Sequence, residues 1–289
     1  MKNTGVPGKI LCILMLILHR SSQQVFNDEK TLILPKNYQI GWMANLNDEK
    51  LVTELTIPGT HDSLALHGGP AAECQAWSLE DQLNAGIRYF DLRVSGDNLK
   101  VVHGPISQHI TFDQVLNGIN NFLSLHPTET VLVRVKHNKV FPNHVITKLE
   151  QNTNSWVKNT IPKIKEVRGK IVFVQKKTFT LGLPLYETDK KGDYKVKNIE
   201  KKEETIFAHL NEALEKCKHE TAVLNYSSGT GWPLLKLDKT PKNVAKKINP
   251  WLYNYLIGAF EKNLKSCFGI IAMDFPGFDL IQMVINFNK

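Results

Sequence analysis

The chain has 289 residues, an apolar content of 42% and a formal net charge of +8. That length suits one α/β barrel of about 250 residues, and the apolar content supplies a sizeable core. Beyond the N-terminal stretch no segment is apolar enough to cross a bilayer, and no repeat or low-complexity tract interrupts the chain.

Lys2 and Lys9 precede nine apolar residues, Ile10 to Leu18, and Ser21-Ser22-Gln23 follows. This is the layout of a secretory signal peptide, too short to span a membrane. We place it at residues 1–22, which leaves one domain over 23–289 in a secreted, extracellular protein. Losing Lys2, Lys9 and Arg20 lowers the net charge to +5. A basic surface of that kind favours anionic phospholipid or RNA, and is equally compatible with ordinary solvation.

Residues 23–50 read as a lead-in with a turn or short helix near Ile40 to Leu46. A strand is predicted over Leu55 to Ile57, ended by Pro58-Gly59, which remove a donor and admit unusual dihedrals. His61 and Asp62 then fall just beyond the strand. Ser78 to Ala85 is a capped helix, and strands follow at Arg88 to Arg93 and at Leu99 to His103. A helix opened by Thr111-Phe112-Asp113 runs to Leu125, and Thr130 to Lys136 alternates as a strand. Pro142 to Ile161 reads as helical and Lys170 to Gln175 as a strand, whereas 176–202 is irregular. Glu203 to Lys216 is an amphipathic helix, Thr221 to Tyr226 a strand, and Pro241 to Leu264 one helix or two broken near Pro250. Gly269 to Asp274 is the last strand and Leu280 to Phe287 the closing helix. Strand, helix, strand recurs, which argues for a parallel sheet.

Four of these strands end on chemistry: His61-Asp62, Arg93, His103 and Asp274. One His-Asp pair would read as a turn; four such ends in one chain read as a site. Two histidines of opposite protonation can take a proton from an attacking hydroxyl and give one to a leaving oxygen, while an arginine neutralises a phosphoryl group between them. No metal or other cofactor is required for that chemistry.

The motifs IPGTHDS, FDLR and VVHGP, with a strand ending on Asp274, resemble the X region of phosphatidylinositol-specific phospholipase C, in particular its bacterial-type, metal-independent branch. HPTETVLVRVK, VRGKIVFVQ, GDYKV and LNYSSGTGW continue the likeness over residues 35–289. The resemblance implies an irregular, incompletely closed (β/α) TIM-type barrel, with the irregularity after Gln175. It implies His61 as general base supported by Asp274, His103 as general acid paired with Asp62, and Arg93 as phosphate clamp. Asp91, two residues before Arg93, is expected to point away from the site as a structural acid, leaving a fixed positive charge where calcium would sit. Lys136, Lys176 and Tyr194 match substrate-binding positions. Lys176 stands where an arginine is usual, and Gly192 where an aspartate is usual, with Asp193 one position on. Trp232 matches a rim loop that enters lipid. A short membrane-seeking helix of the family corresponds to Gly69 to Gln75, alanine-rich and weakly apolar. Trp77 reads as wall or core.

The implied function is cleavage of phosphatidylinositol, or of a glycosylated phosphatidylinositol, into diacylglycerol and a cyclic inositol phosphate, by a monomer acting peripherally on membranes and binding no nucleic acid. The alternatives are a secreted barrel that holds inositol lipid without cutting it and a cyclising phosphodiesterase acting on RNA. The RNA reading lacks an aromatic and basic strip for stacking bases. Of the cysteines outside the leader, Cys217 and Cys267 precede consecutive strands and are expected to form a bridge, with Cys74 left free at the opposite end.

Overall fold

The computed structural model describes residues 24–139, 141–217, 221–231, 237–262 and 266–289. The proposed leader and Trp232 lie outside them. In chain order the strands and helices are β1 (Ile57–Thr60), α1 (Leu79–Ala85), β2 (Tyr89–Ser95), β3 (Lys100–His103), β4 (Ile106–Thr111), α2 (Phe112–Leu125), β5 (Val131–His137), α3 (Asn143–Gln151), β6 (Ser155–Trp156), α4 (Ile164–Val167), β7 (Ile171–Val174), β8 (Leu185–Glu187), α5 (Ile199–Lys216), β9 (Ala222–Tyr226), α6 (Pro241–Lys262), β10 (Ile270–Met273) and α7 (Phe278–Asn286).

The sheet runs β6-β7-β5-β2-β1-β10-β9-β8, with all of these pairings parallel. It curls into a TIM-type barrel. Between β7 and β8, among the described residues, the backbone pairing that joins the wall is an isolated parallel bridge, Val174 to Leu183. That weak seam falls in the irregular stretch predicted after Gln175.

Alternation along the strands sets the layers. Ile57, Tyr89, Leu132, Val172, Leu224 and Ile270 fill the barrel interior. Phe90 and Leu92 of β2 face outward onto α1 and α2, while Ile271 and Met273 of β10 face outward onto α6 and α7. Trp77 is buried in the outer layer. Gly59 lies inside the barrel, where a Cβ would come within 2.7 Å of the Tyr89 ring.

Several boundaries differ from those predicted. Pro58-Gly59 does not end the first strand; both lie within β1, where the Pro58 carbonyl accepts from Arg88 N. The strand ends at Thr60, and two residues on the chain turns at Asp62, whose φ of 40° is left-handed. β3 is antiparallel to both β2 and β4, so His103 arrives on a hairpin and not on a barrel strand. α3 stops at Gln151, where Asn152 turns the chain back by accepting from Asn154 N, and β6 follows on the sheet edge. α5 begins at Ile199, four residues before its predicted start, because Asn198 caps it. α6 is one helix with Pro250 inside it. Residues 69–75 form turns with no helix.

Cys217 and Cys267 are bridged, with a Cα separation of 5.8 Å, and Cys74 is free and buried. Both bridged sulfurs lie near the Thr53 carbonyl, below β1. Closing a loop of 50 residues contributes about 4 kcal/mol by the chain-entropy estimate.

Candidate active site

β1 and β10 run side by side, and their C-terminal ends set the first pair of side chains. His61 N donates to the Met273 carbonyl at 2.9 Å, carrying the ladder one residue past β1. His61 Nδ1 lies 2.9 Å from Asp274 Oδ1. The backbone around this pair is clipped: Gln75 Nε2 donates to the carbonyls of His61 (2.8 Å) and Met273 (2.9 Å), and Asn249 Nδ2 to those of Asp274 and Phe275, both at 3.0 Å. The edge of the His61 ring meets Tyr226, with centroids 5.6 Å apart.

Asp62 is the hub of the site. Its Oδ1 lies 2.5 Å from Arg93 Nε, and its Oδ2 lies 3.3 Å from His103 Nε2 and 3.5 Å from His61 Nε2. Asp62 is buried, while His61 and His103 each keep about a fifth of their side-chain surface exposed (20% and 22%). A buried acid in a left-handed conformation is costly twice over, which fits a position set by the site.

The two histidines have opposite surroundings. Both nitrogens of His103 face acceptors, Nδ1 the Ala72 carbonyl at 2.6 Å and Nε2 Asp62. Only the imidazolium can donate to both. On His61, Nδ1 faces Asp274, but Nε2 faces Arg93 Nη2 at 3.1 Å. A guanidinium only donates, so this contact favours a lone pair on Nε2. Burial opposes charge on His61, yet the carboxylates of Asp62 and Asp274 outweigh it and raise its pKa to about 9. The ring is thus a strong base with one nitrogen aimed at an arginine. Burial pushes the Asp62 carboxyl up despite His61 and Arg93, and burial also pushes the Cys74 thiol well up.

Asp91 does not point away from Arg93. Residues two apart on a strand share a face, so both project inward. Burial works to raise the Asp91 carboxyl, but Arg134 and Arg93 outweigh it and hold it below the ordinary range. Arg134 is buried and donates to the Tyr226 hydroxyl and to Glu187. Lys176 Nζ pairs with Glu187 at 3.3 Å, and burial lowers its pKa. Lys136 is exposed and stands in register with Arg93 on the neighbouring strand.

His61, Asp62, Arg93, His103 and Asp274 therefore converge, with Lys136 and Lys176 along the same wall. Tyr194 is 52% exposed on the loop after β8, and its carbonyl accepts from Thr230 N beyond β9, which ties it to the same C-terminal face. Sequence reasoning missed Arg134, Tyr226, Glu187, Gln75 and Asn249. The period-two pattern of Leu132, Arg134 and Lys136 carries a signal for Arg134; the two amides act on backbone carbonyls and leave none.

Donor atoms of His61, Asp62 and Cys74 lie within 4.8 Å of one another, as do those of Asp189, Asp193 and His209. The first set fits a metal poorly, since Asp62 is already held by the Arg93 guanidinium at 2.5 Å.

Residues 52–177 match the family model "Phosphatidylinositol-specific phospholipase C, X domain". The chain is 28% identical to a 1-phosphatidylinositol phosphodiesterase of Listeria monocytogenes, over 86% of this chain and 84% of that one. It is 25% identical to a Staphylococcus aureus protein of the same name, over 86% and 94%. The solved structure of the phosphatidylinositol-specific phospholipase C from Listeria monocytogenes superposes with a TM-score of 0.74 at 28% identity, covering 86% of this chain and 98% of that one. A barrel of the same architecture and a match to that X domain over residues 52–177 thus accompany the five converging side chains.

Proposed function

We propose that the protein cleaves phosphatidylinositol by general acid-base catalysis without a metal. The observation that carries this reading is the unlike environment of two histidines on either side of one arginine. His61 Nε2 takes the proton of the inositol 2-hydroxyl as its oxygen bonds to phosphorus; the bond from phosphorus to the diacylglycerol oxygen breaks, and His103 gives that oxygen a proton. The products are a cyclic inositol phosphate and diacylglycerol. Arg93, freed from His61 by the incoming phosphate, neutralises the charge that develops on its oxygens. An attacking hydroxyl on the ring that bears the phosphate gains a large effective molarity, so proton transfer and charge are what the protein must supply.

The metal-free reading rests on Arg93 and Arg134, which face the two inward acids, Asp62 and Asp91. The ring of Tyr194 and the ammonium groups of Lys136 and Lys176 are the headgroup contacts in this reading, and Trp232 the contact with lipid. Among the described residues no helix is long and apolar enough to cross a membrane, which supports peripheral action; secretion through residues 1–22 and a monomeric state belong to the same proposal. Protein lacking the leader, given phosphatidylinositol in mixed micelles with EDTA, should release cyclic inositol phosphate. Binding without product, or product only after calcium is restored, would contradict it.

A further inference from the structure

The inner stripe of α5 carries Lys202, Ile206, His209, Leu210 and Ala213, all buried. Three are ordinary core residues; an ammonium and an imidazole in the same stripe are unfavourable unless partners compensate them. The partners come from the loop that follows β8. His209 Nδ1 lies 3.1 Å from Asp189 Oδ1 and its Nε2 lies 3.1 Å from Asp193 Oδ2. Lys202 Nζ donates to the Asp193 carbonyl at 3.1 Å. His209 Nε2 donates to the Asp193 carboxylate, whereas Nδ1 and Asp189 Oδ1, though 3.1 Å apart, are not aligned as a hydrogen bond. The clamp therefore rests on Asp193, held at its carboxylate by His209 and at its carbonyl by Lys202. A single metal ion fits less well, since it could take only one ring nitrogen while the carboxylates sit at different ones.

The clamp acts on the segment that carries Tyr194. Asp193 Oδ2 also accepts from Lys190 N at 2.7 Å, and Lys195 N donates to the Gly192 carbonyl at 2.8 Å, closing a turn through Gly192 at φ +105°. The Tyr194 ring is half exposed and lies near the Lys195 ammonium, 5.9 Å from the ring centroid. With so little packing on the ring, its place is largely that of its backbone. That backbone is held on one side by Thr230, at 2.8 Å through the Tyr194 carbonyl and 2.8 Å through Val196 N, and on the other by the α5 clamp. Asp193, turned onto α5, is not free to meet a headgroup.

We propose, building on the headgroup reading above, that Lys202 and His209 are positioning residues that hold the loop of residues 188–195, and Tyr194 with it, at the barrel mouth, so that they govern substrate binding and not turnover. Steady-state kinetics on phosphatidylinositol mixed micelles test this with His209→Phe, which keeps volume and removes the Nε2 hydrogen bond to Asp193. KM is expected to rise about tenfold with kcat within about twofold. In a Tyr194→Ala background the same substitution should move KM less than about twofold, because a residue acting through Tyr194 has nothing left to position. Amide hydrogen exchange over residues 189–196 should quicken by about tenfold while that of β1 and β10 is unchanged. Equal KM effects in the two backgrounds, or unchanged loop exchange, would overturn the proposal. Were the wild-type protein inactive on phosphatidylinositol, the substrate reading would fall separately, and loop exchange alone would then support or overturn the clamp. Asp193→Asn provides the same comparisons should His209→Phe fail to fold.

Discussion

The two sides of the barrel are built to different standards. On the β10-β1 side four consecutive residue pairs are in register, the strand ends are clipped by Gln75 and Asn249, and the bridge of Cys217 to Cys267 ties the lead-in to β10 to that of its other neighbour, β9. On the β7-β8 side, among the described residues, an isolated bridge joins the wall, and the loop beyond it carries Tyr194 on an ion cluster. The proposed proton acceptor and its partner stand on the first side; proposed headgroup contacts stand on the second. Chemistry tolerates displacements of only fractions of an ångström, whereas headgroup recognition can be carried by an adaptable loop.

The comparison breaks most visibly at the histidines. His61→Ala and His103→Ala should each lower turnover about 10²- to 10⁴-fold with the barrel still folded, as measured by kinetics beside circular dichroism. Arg93→Lys should also be damaging, since an ammonium cannot both hold Asp62 and meet a phosphoryl group through a planar fork.

A smaller effect is expected from Asp274→Asn. His61, raised to about 9 by the carboxylates of Asp62 and Asp274, must lose its proton to act as base while His103 keeps its own. The pH profile of kcat/KM is then a bell whose limbs are macroscopic values of the pair, and the limb near pH 9 is the one to which His61 contributes most. Removing the Asp274 charge lowers the proton affinity of His61, so that limb should move to lower pH. An unmoved limb, or one moved upward, would detach Asp274 from the base.

The smallest effect on chemistry is expected at the rim. Trp232→Ala should weaken vesicle binding in a sedimentation assay while turnover of a soluble, short-chain substrate stays within about twofold. Equal losses on both would make Trp232 a packing residue.

Sequence patterning made the regular side more legible than the other. Strands ending on His61, Arg93 and Asp274 announce themselves because apolar alternation stops at a charged residue. The hairpin that delivers His103 was not legible as such, since its antiparallel pairing is fixed by contacts with β2 and not by its own residues. Asp91 was misplaced although period two alone puts it beside Arg93. Arg134 lies in a strand that alternation alone marks; burial against Tyr226 and Glu187, from distant parts of the chain, is what makes it part of the site. The clamp of His209 on Asp193 spans 16 positions with no motif to mark it.

The division of labour between the two histidines is tested most directly by changing the leaving group. An inositol phosphodiester that expels a nitrophenolate needs little help from an acid, because the departing oxygen is already weakly basic. On that substrate His103→Ala should regain most of the activity it loses on phosphatidylinositol, while His61→Ala stays as impaired as before. Equal losses by both variants on both substrates, or recovery by His61→Ala instead, would contradict the assignment of His61 as base and His103 as acid.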